Sequence, residues 1–197
     1  MEFQYKGLEA TLEQMSVTEE ELDRQVERLK GQDMGDLTPE QIRQGVAEAL
    51  QAHYDEQAEM ELRRNLLRMA AATLNYVPSE AAVQDELDRQ MGMLVQGLAE
   101  KRLSLTDYCS FANTTPEKIR EDLRSSAEQQ LREEAAVERI AALEQITVDP
   151  KEVEAKVEPD ATEEAKMYMR SLMHGELLHV KVLEFLRENA KITVKKV

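Results

Sequence analysis

Apolar residues in this chain recur mainly three or four positions apart, the spacing of helices that bury one face. The clearest run starts at Ser79, where Val83, Leu87, Met91, Leu94 and Leu98 form one stripe, leaving Met93 and Val95 off it. Pro78 cannot continue an upstream helix and biases Val77 away from the α region. One long helix is therefore expected to stop near Tyr76 and the next to begin at about Ser79 and run to about Leu103. A short helix then carries Tyr108 and Phe111. Thr114-Thr115-Pro116-Glu117 launches a return helix bearing Ile119, Leu123, Ala127 and Leu131, then Ala135, Val137, Ile140 and Leu143. A helical arm goes out and comes back.

The same reading extends to both ends. Phe3 and Tyr5 alternate with polar residues, and the alternation resumes in the other phase at Leu8, Ala10 and Leu12, so the N-terminal stretch is expected to be extended with a bend or bulge at Gly7. Thr18-Glu19-Glu20-Glu21 is a capping box, and a short helix with Leu22, Val26 and Leu29 on one stripe should follow. Gly31 to Asp36 has two glycines and no apolar period, the pattern of a linker. Thr38-Pro39 opens a helix of about forty residues, roughly 60 Å long. Its apolar residues cluster at both ends, so its waist from Gln51 to Asn65 is expected to lie largely in water. Asp149-Pro150 opens a short helix that Pro159 ends, and Asp160-Ala161-Thr162-Glu163 opens the last long one. Leu177, Leu178, Val180, Val182, Leu183, Phe185 and Leu186 crowd that helix, which predicts burial on several sides, with Leu183, Phe185 and Leu186 fully inside. The tail Ile192-Thr193-Val194 alternates like a short strand, and the extended N-terminal stretch is an available partner.

Composition narrows the class. Glycine, proline and aromatics are scarce among 197 residues, tryptophan is absent, and the common residues are helix formers, so the expected fold is all-α. A net charge of −15 would repel a phosphate backbone, which argues against a nucleic-acid partner. No apolar run reaches membrane-spanning length, and the start of the chain lacks the form of a signal peptide, so a cytoplasmic location and no membrane partner are expected. The single cysteine, Cys109, leaves no intrachain disulfide and no cysteine-based zinc site.

Candidate chemistry is thin. Glu176-Leu177-Leu178-His179 has the Glu-x-x-His spacing that di-iron bundles use in pairs, but His53 and His174 do not stand three residues after a carboxylate. A histidine at the edge of a packed helix is a plainer reading than a metal-dependent bundle enzyme. Cys109 has no neighbouring histidine in sequence to activate it, which favours a small buried side chain. No catalytic residue, metal ligand or cofactor is expected. Ten methionines are more informative. Met91 lies on a helix stripe, whereas Met60, Met93, Met167, Met169 and Met173 are not all accommodated on one, and their flexible thioethers suit a surface that accepts varied partners.

Several phrases together resemble the C-terminal chaperone domain of bacterial trigger factor. They are Val77-Pro78-Ser79-Glu80 with Asp85-Glu86-Leu87-Asp88-Arg89, Thr115-Pro116-Glu117-Lys118-Ile119-Arg120, and the ending from Val182-Leu183-Glu184-Phe185 to Lys191-Ile192-Thr193. The resemblance covers Leu37 to Val197. Tyr5-Lys6-Gly7-Leu8-Glu9 and Val17 to Glu21 resemble the family's segment between its ribosome-binding and prolyl isomerase domains. The glycine-bearing stretch from Gly31 to Asp36 sits where the isomerase domain would be inserted, and nothing resembles the basic ribosome-docking loop, so neither ribosome docking nor isomerase activity is expected to carry over.

The resemblance implies an elongated multi-helix body with two protruding arms, and short strands at the termini complete the expected fold. Residues 1–36 would form an N-terminal segment, short helix and linker; residues 37–197 would form the helical domain, with arms at 79–113 and 114–158 and a body helix at 160–190. The implied function is ATP-independent holding of unfolded, nascent or partly folded polypeptides, through many weak apolar contacts with an acidic rim that keeps the complex soluble. The expected lining is Met60, Leu62, Met93, Val95, Tyr108, Phe111, Met167, Met169 and Met173. The alternative is a helical scaffold or assembly protein that grips one specific partner or a second copy of itself. Self-association fits either reading.

Overall fold

The computed structural model describes residues 2–30, 35 and 37–197. Among them the chain runs β1 (Glu9–Gln14), α1 (Glu19–Leu29), α2 (Pro39–Thr73), α3 (Glu80–Glu100), α4 (Leu105–Ala112), α5 (Pro116–Glu144), α6 (Pro150–Glu154), α7 (Glu163–Glu188) and β2 (Lys191–Lys196). The expected helices are present, together with one two-stranded sheet. The linker expected over Gly31 to Asp36 lies outside the described residues except for Gly35, which occupies a turn at φ +61°. The described residues form two compact units, one of residues 6–66 and 183–197 and the other of residues 1–5 and 67–182. We call them the strand unit and the hairpin unit.

In the strand unit, β1 and β2 pair in parallel, with Glu9 opposite Lys191 through to Gln14 opposite Lys196. The expected partnership of the two extended segments is therefore met. Gly7 makes the bend before β1 at φ +68°, a region that costs glycine nothing, and its N–H donates to the Asn189 carbonyl at 2.9 Å. The alternation then works as a strand should, with Leu8 and Leu12 buried and Glu9, Thr11 and Glu13 exposed. The capping box forms as read: the Glu21 N–H donates to Thr18 Oγ1 at 3.3 Å and the Thr18 N–H to Glu21 Oε2 at 3.2 Å.

The waist of α2 is less free than expected. Gln51 Nε2 donates to the Met15 carbonyl at 2.9 Å and Gln14 Nε2 to Asp55 at 3.3 Å, so amides and carboxylates tie one face to the strand and the segment after it. Leu62 and Leu66, one turn apart, are buried on α2. From the end of α7, Arg187 reaches Glu59 with two parallel bonds of 2.9 Å, a bidentate geometry that holds both planes. Leu186 is fully buried as expected, but Leu183 and Phe185 are half-buried. Successive residues turn by about 100° around a helix, so these two lie on the flanks of the stripe that carries Leu186. One face of the Phe185 ring lies under the Lys6 ammonium, 5.4 Å from the ring centre.

In the hairpin unit, α3 and α5 run antiparallel, so the stretches expected as arms at 79–113 and 114–158 pack on each other through these helices. Val83, Leu87 and Ala127 form the buried seam, flanked by Leu123 and Leu131. Ala127 carries only a methyl group, which permits the close approach. Arg124 donates to both Glu80 oxygens, at 3.0 and 2.5 Å, and Arg120 to Asp88 at 2.6 Å, fastening the edges. Ser79, Thr115 and Asp149 cap α3, α5 and α6, each accepting a backbone N–H of the first turn. A second capping box, Ser104 with Asp107, starts α4. Further along α5, Ile140 is buried, but Leu143 at the end of its expected stripe is exposed, and α5 ends one residue later with a left-handed cap at Gln145.

Candidate functional site

The expected lining residues are divided between the two units. Met60 belongs to the strand unit and is exposed. Leu62 belongs there too, but it is only 3% exposed: as the residue one turn before Leu66 it is part of the core, and its place among the surface residues is corrected. The other seven lie in the hairpin unit. Phe111 on α4 is 82% exposed, Met167 on α7 69% and Met93 on α3 60%, and Val95 also faces solvent. Tyr108, Met169 and Met173 are half-buried, the last two on the inward side of α7 one turn apart.

Solvent-exposed apolar side chains of this size cost free energy unless something covers them part of the time, and runs of them mark binding surfaces. One such run escaped the sequence reading. Tyr168, Leu172 and Val180 stand on α7 at multiples of four residues, and all three are exposed. They line a groove of about 1020 Å³ whose other wall is α5 from Gln130 to Glu138. The available signal was the number of apolar residues on α7, which exceeds what one buried stripe can hold. Leu177, Leu178, Val180, Val182, Leu183, Phe185 and Leu186 were expected to be covered on several sides, whereas of these only Val182 and Leu186 are fully buried.

Charge frames this groove. Glu134, Glu138 and Glu176 line it, and Arg89 enters from α3. Arg89 is committed elsewhere: its guanidinium donates to both oxygens of Glu86 at 2.7 and 2.6 Å, and Nη1 also meets the Met93 sulfur at 3.2 Å. Glu86 is buried, and its carboxyl is held below the usual range chiefly by the Arg89 bonds, against the opposing effect of desolvation, with Gln90 assisting. The groove thus offers apolar contact surface with carboxylates around it. Glu176 and His179, the metal-like spacing, both face it, and among the described residues no group of three or more His, Cys, Asp or Glu side chains is arranged to hold a metal ion. Cys109 is buried.

The fold is that of a mostly helical protein with capped interhelical turns and several exposed apolar side chains. Residues 38–193 match the family described as bacterial trigger factor protein (TF) C-terminus, and the chain belongs to that family. It is 25% identical over 162 residues to trigger factor of Clostridium beijerinckii, covering 77% of this chain and 38% of that protein. Against trigger factor of Bacillus cereus strain B4264 the identity is 30% over 143 residues, with coverage of 68% and 33%. Trigger factor 1 of Desulfitobacterium hafniense is 28% identical over 116 residues, 59% of this chain and 27% of the relative. The chain therefore spans between 27 and 38% of the length of these curated relatives.

Proposed function

We propose that this chain is an ATP-independent holding chaperone that covers apolar segments of unfolded, nascent or partly folded polypeptides. The observation that carries this reading is the exposed apolar surface of the hairpin unit, Met93, Val95, Phe111, Met167, Tyr168, Leu172 and Val180, in a member of this family. Each side chain gives a weak, non-directional contact, so a client is bound by several at once and exchanges readily. Thioethers and aromatic rings adapt to different client shapes. Net charge and the carboxylates beside the groove keep the loaded complex soluble.

The match lies in the family's C-terminal region, the chaperone part, and we expect neither prolyl isomerisation nor ribosome docking from these residues. Membership of the family supports a cytosolic place, and no described helix is long and apolar enough to cross a membrane. The deciding experiment is suppression of aggregation for several unrelated proteins, each unfolded and diluted with near-stoichiometric chain. Suppression across the panel supports the proposal. Activity toward one protein alone would instead identify a scaffold for that partner.

A further inference from the structure

The sheet of the strand unit has an unused edge. Lys191 N–H donates to the Leu8 carbonyl at 2.8 Å and Val197 N–H to the Gln14 carbonyl at 2.9 Å, bracketing a parallel ladder in which the even-numbered residues of β1 bond to β2. The N–H and C=O groups of Glu9, Thr11 and Glu13 then point to the opposite side, and the sheet has no third strand there among the described residues. That edge opens on a cleft of about 610 Å³ lined by these same three residues and, from α2, by Ala58, Glu61 and Leu62. Three of the residues lining the cleft are carboxylates and none is a lysine or arginine.

The occupied edge of β1 indicates what the free one would take. β2 places Lys191 opposite Glu9 and Lys195 opposite Glu13, with Ile192 and Val194 alternating onto the other face. An extended segment with that alternation, laid along the free edge, would set its basic side chains beside Glu9 and Glu13 and its apolar ones toward Ala58 on α2. We propose that the β1 edge and its cleft form a strand-addition site for extended polypeptide segments that alternate basic and apolar residues. The site rests on the polypeptide-binding reading above but lies in the strand unit, where its main-chain bonds would tolerate sequence variation while the carboxylates select the charge.

The probe is a fluorescein-labelled synthetic peptide of about eight residues, alternating valine with lysine, a length that matches one strand. Fluorescence anisotropy with the full chain should give saturable binding, weaker by about tenfold or more for the counterpart with glutamate in place of lysine. N-methylating alternate amides of the peptide separates the two edges of the added strand: methylation on one edge should abolish binding, and on the other should leave it nearly unchanged. Thr11→Pro removes an outward N–H while sparing the β1–β2 ladder and should weaken binding by about tenfold. The triple change Glu9→Gln, Glu13→Gln and Glu61→Gln should erase the charge preference. Equal tolerance of both N-methylated peptides, or equal binding of the acidic peptide, would overturn the site, even if the proline variant did not fold. Substituting Met93, Phe111, Met167 and Tyr168 together with Gln should remove most of the aggregation suppression and leave peptide binding intact. Peptide binding lost along with holding would assign the peptide to the hairpin unit and refute the proposal. Failure of the unmodified chain to suppress aggregation, with edge-specific peptide binding retained, would refute the holding function alone.

Discussion

The hairpin unit and the strand unit solve the same problem differently. Both contain long helices with too few apolar residues to bury every face. In the strand unit several of the remaining faces carry polar ties: Arg187 with Glu59, Arg43 with Glu19 and Asp23, Gln51 with the Met15 carbonyl, and Tyr54 donating to Glu21 at 2.7 Å. In the hairpin unit more of the large apolar side chains are left in solvent, most of all Phe111. Polar ties fix a surface in one arrangement because hydrogen bonds are directional. Apolar surface without a fixed partner can accept many, which is what a holding surface requires.

Core truncations should have the largest effect and establish what each unit rests on. Ile140→Ala in the hairpin unit and Leu186→Ala in the strand unit each remove a fully buried side chain, and each should cost about 2–5 kcal/mol. Urea denaturation followed by circular dichroism would measure this. A cost well under 1 kcal/mol for either would mean that the side chain is not part of a packed core.

Next in size, the contrast in surface should appear as a contrast in function. Met93, Phe111, Met167 and Tyr168 changed together to Gln should remove most of the aggregation suppression with the helical signal and melting behaviour retained. Any one of them alone should do little, because many weak contacts share the load. If the fourfold variant melts while its folded fraction still holds clients, those residues belong to the core and the comparison breaks. Changing Met60 alone should leave holding nearly unaltered.

The polar ties of the strand unit should show as a pH dependence. Glu59 is held below its ordinary 4.5 mainly by the Arg187 bonds, opposed by desolvation. A lowered carboxyl contributes stability that is fully present above the unfolded pKa and is lost as pH falls through the folded one. Glu59→Gln should therefore cost about 1 kcal/mol at neutral pH, allowing for partial solvent screening, and the cost should vanish on acidification below 4.5. Unfolding of parent and variant across that range would check it; a cost independent of pH would show that packing, not charge, links the two residues.

The smallest effect concerns the edge of the α3–α5 pair. Arg124 and, secondarily, Gln84 hold the Glu80 carboxyl down to about 2. Its contribution should persist down to the ordinary 4.5 and fade as pH falls toward about 2. Because the pair is exposed, Glu80→Gln should shift stability only slightly and less at high salt. Titration of the Glu80 carboxyl by NMR gives the direct reading.

Much of the fold was legible because its signals are local. Pro116 and Pro150 mark helix starts through lost N–H groups and a fixed φ, Pro78 keeps the preceding chain out of a helix, and Thr18 with Glu21 closes a cap within four residues. Even the partnership of two segments far apart in the chain could be anticipated, since both alternate and both are short, but its parallel sense came only with the structure. The surface was harder to read. Leu62 and Met60 are two residues apart in an equally polar stretch, yet one is core and the other exposed. Tyr168, Leu172 and Val180 share the apolar character of Val182 and Leu186 but face a groove instead of a core.

By itself, then, the sequence determined the secondary structure, the acidic character and the membership of a family, since each depends on backbone chemistry, composition or phrases readable along the chain. Only the tertiary structure decided which apolar side chains are covered, that α7 lines an open groove against α5, and that among the described residues one edge of β1 has no partner strand and lies beside carboxylates. The physical reason is that burial is a property of neighbours in space. Helical periodicity tells which side chains share a face, but not whether another element comes to lie against it.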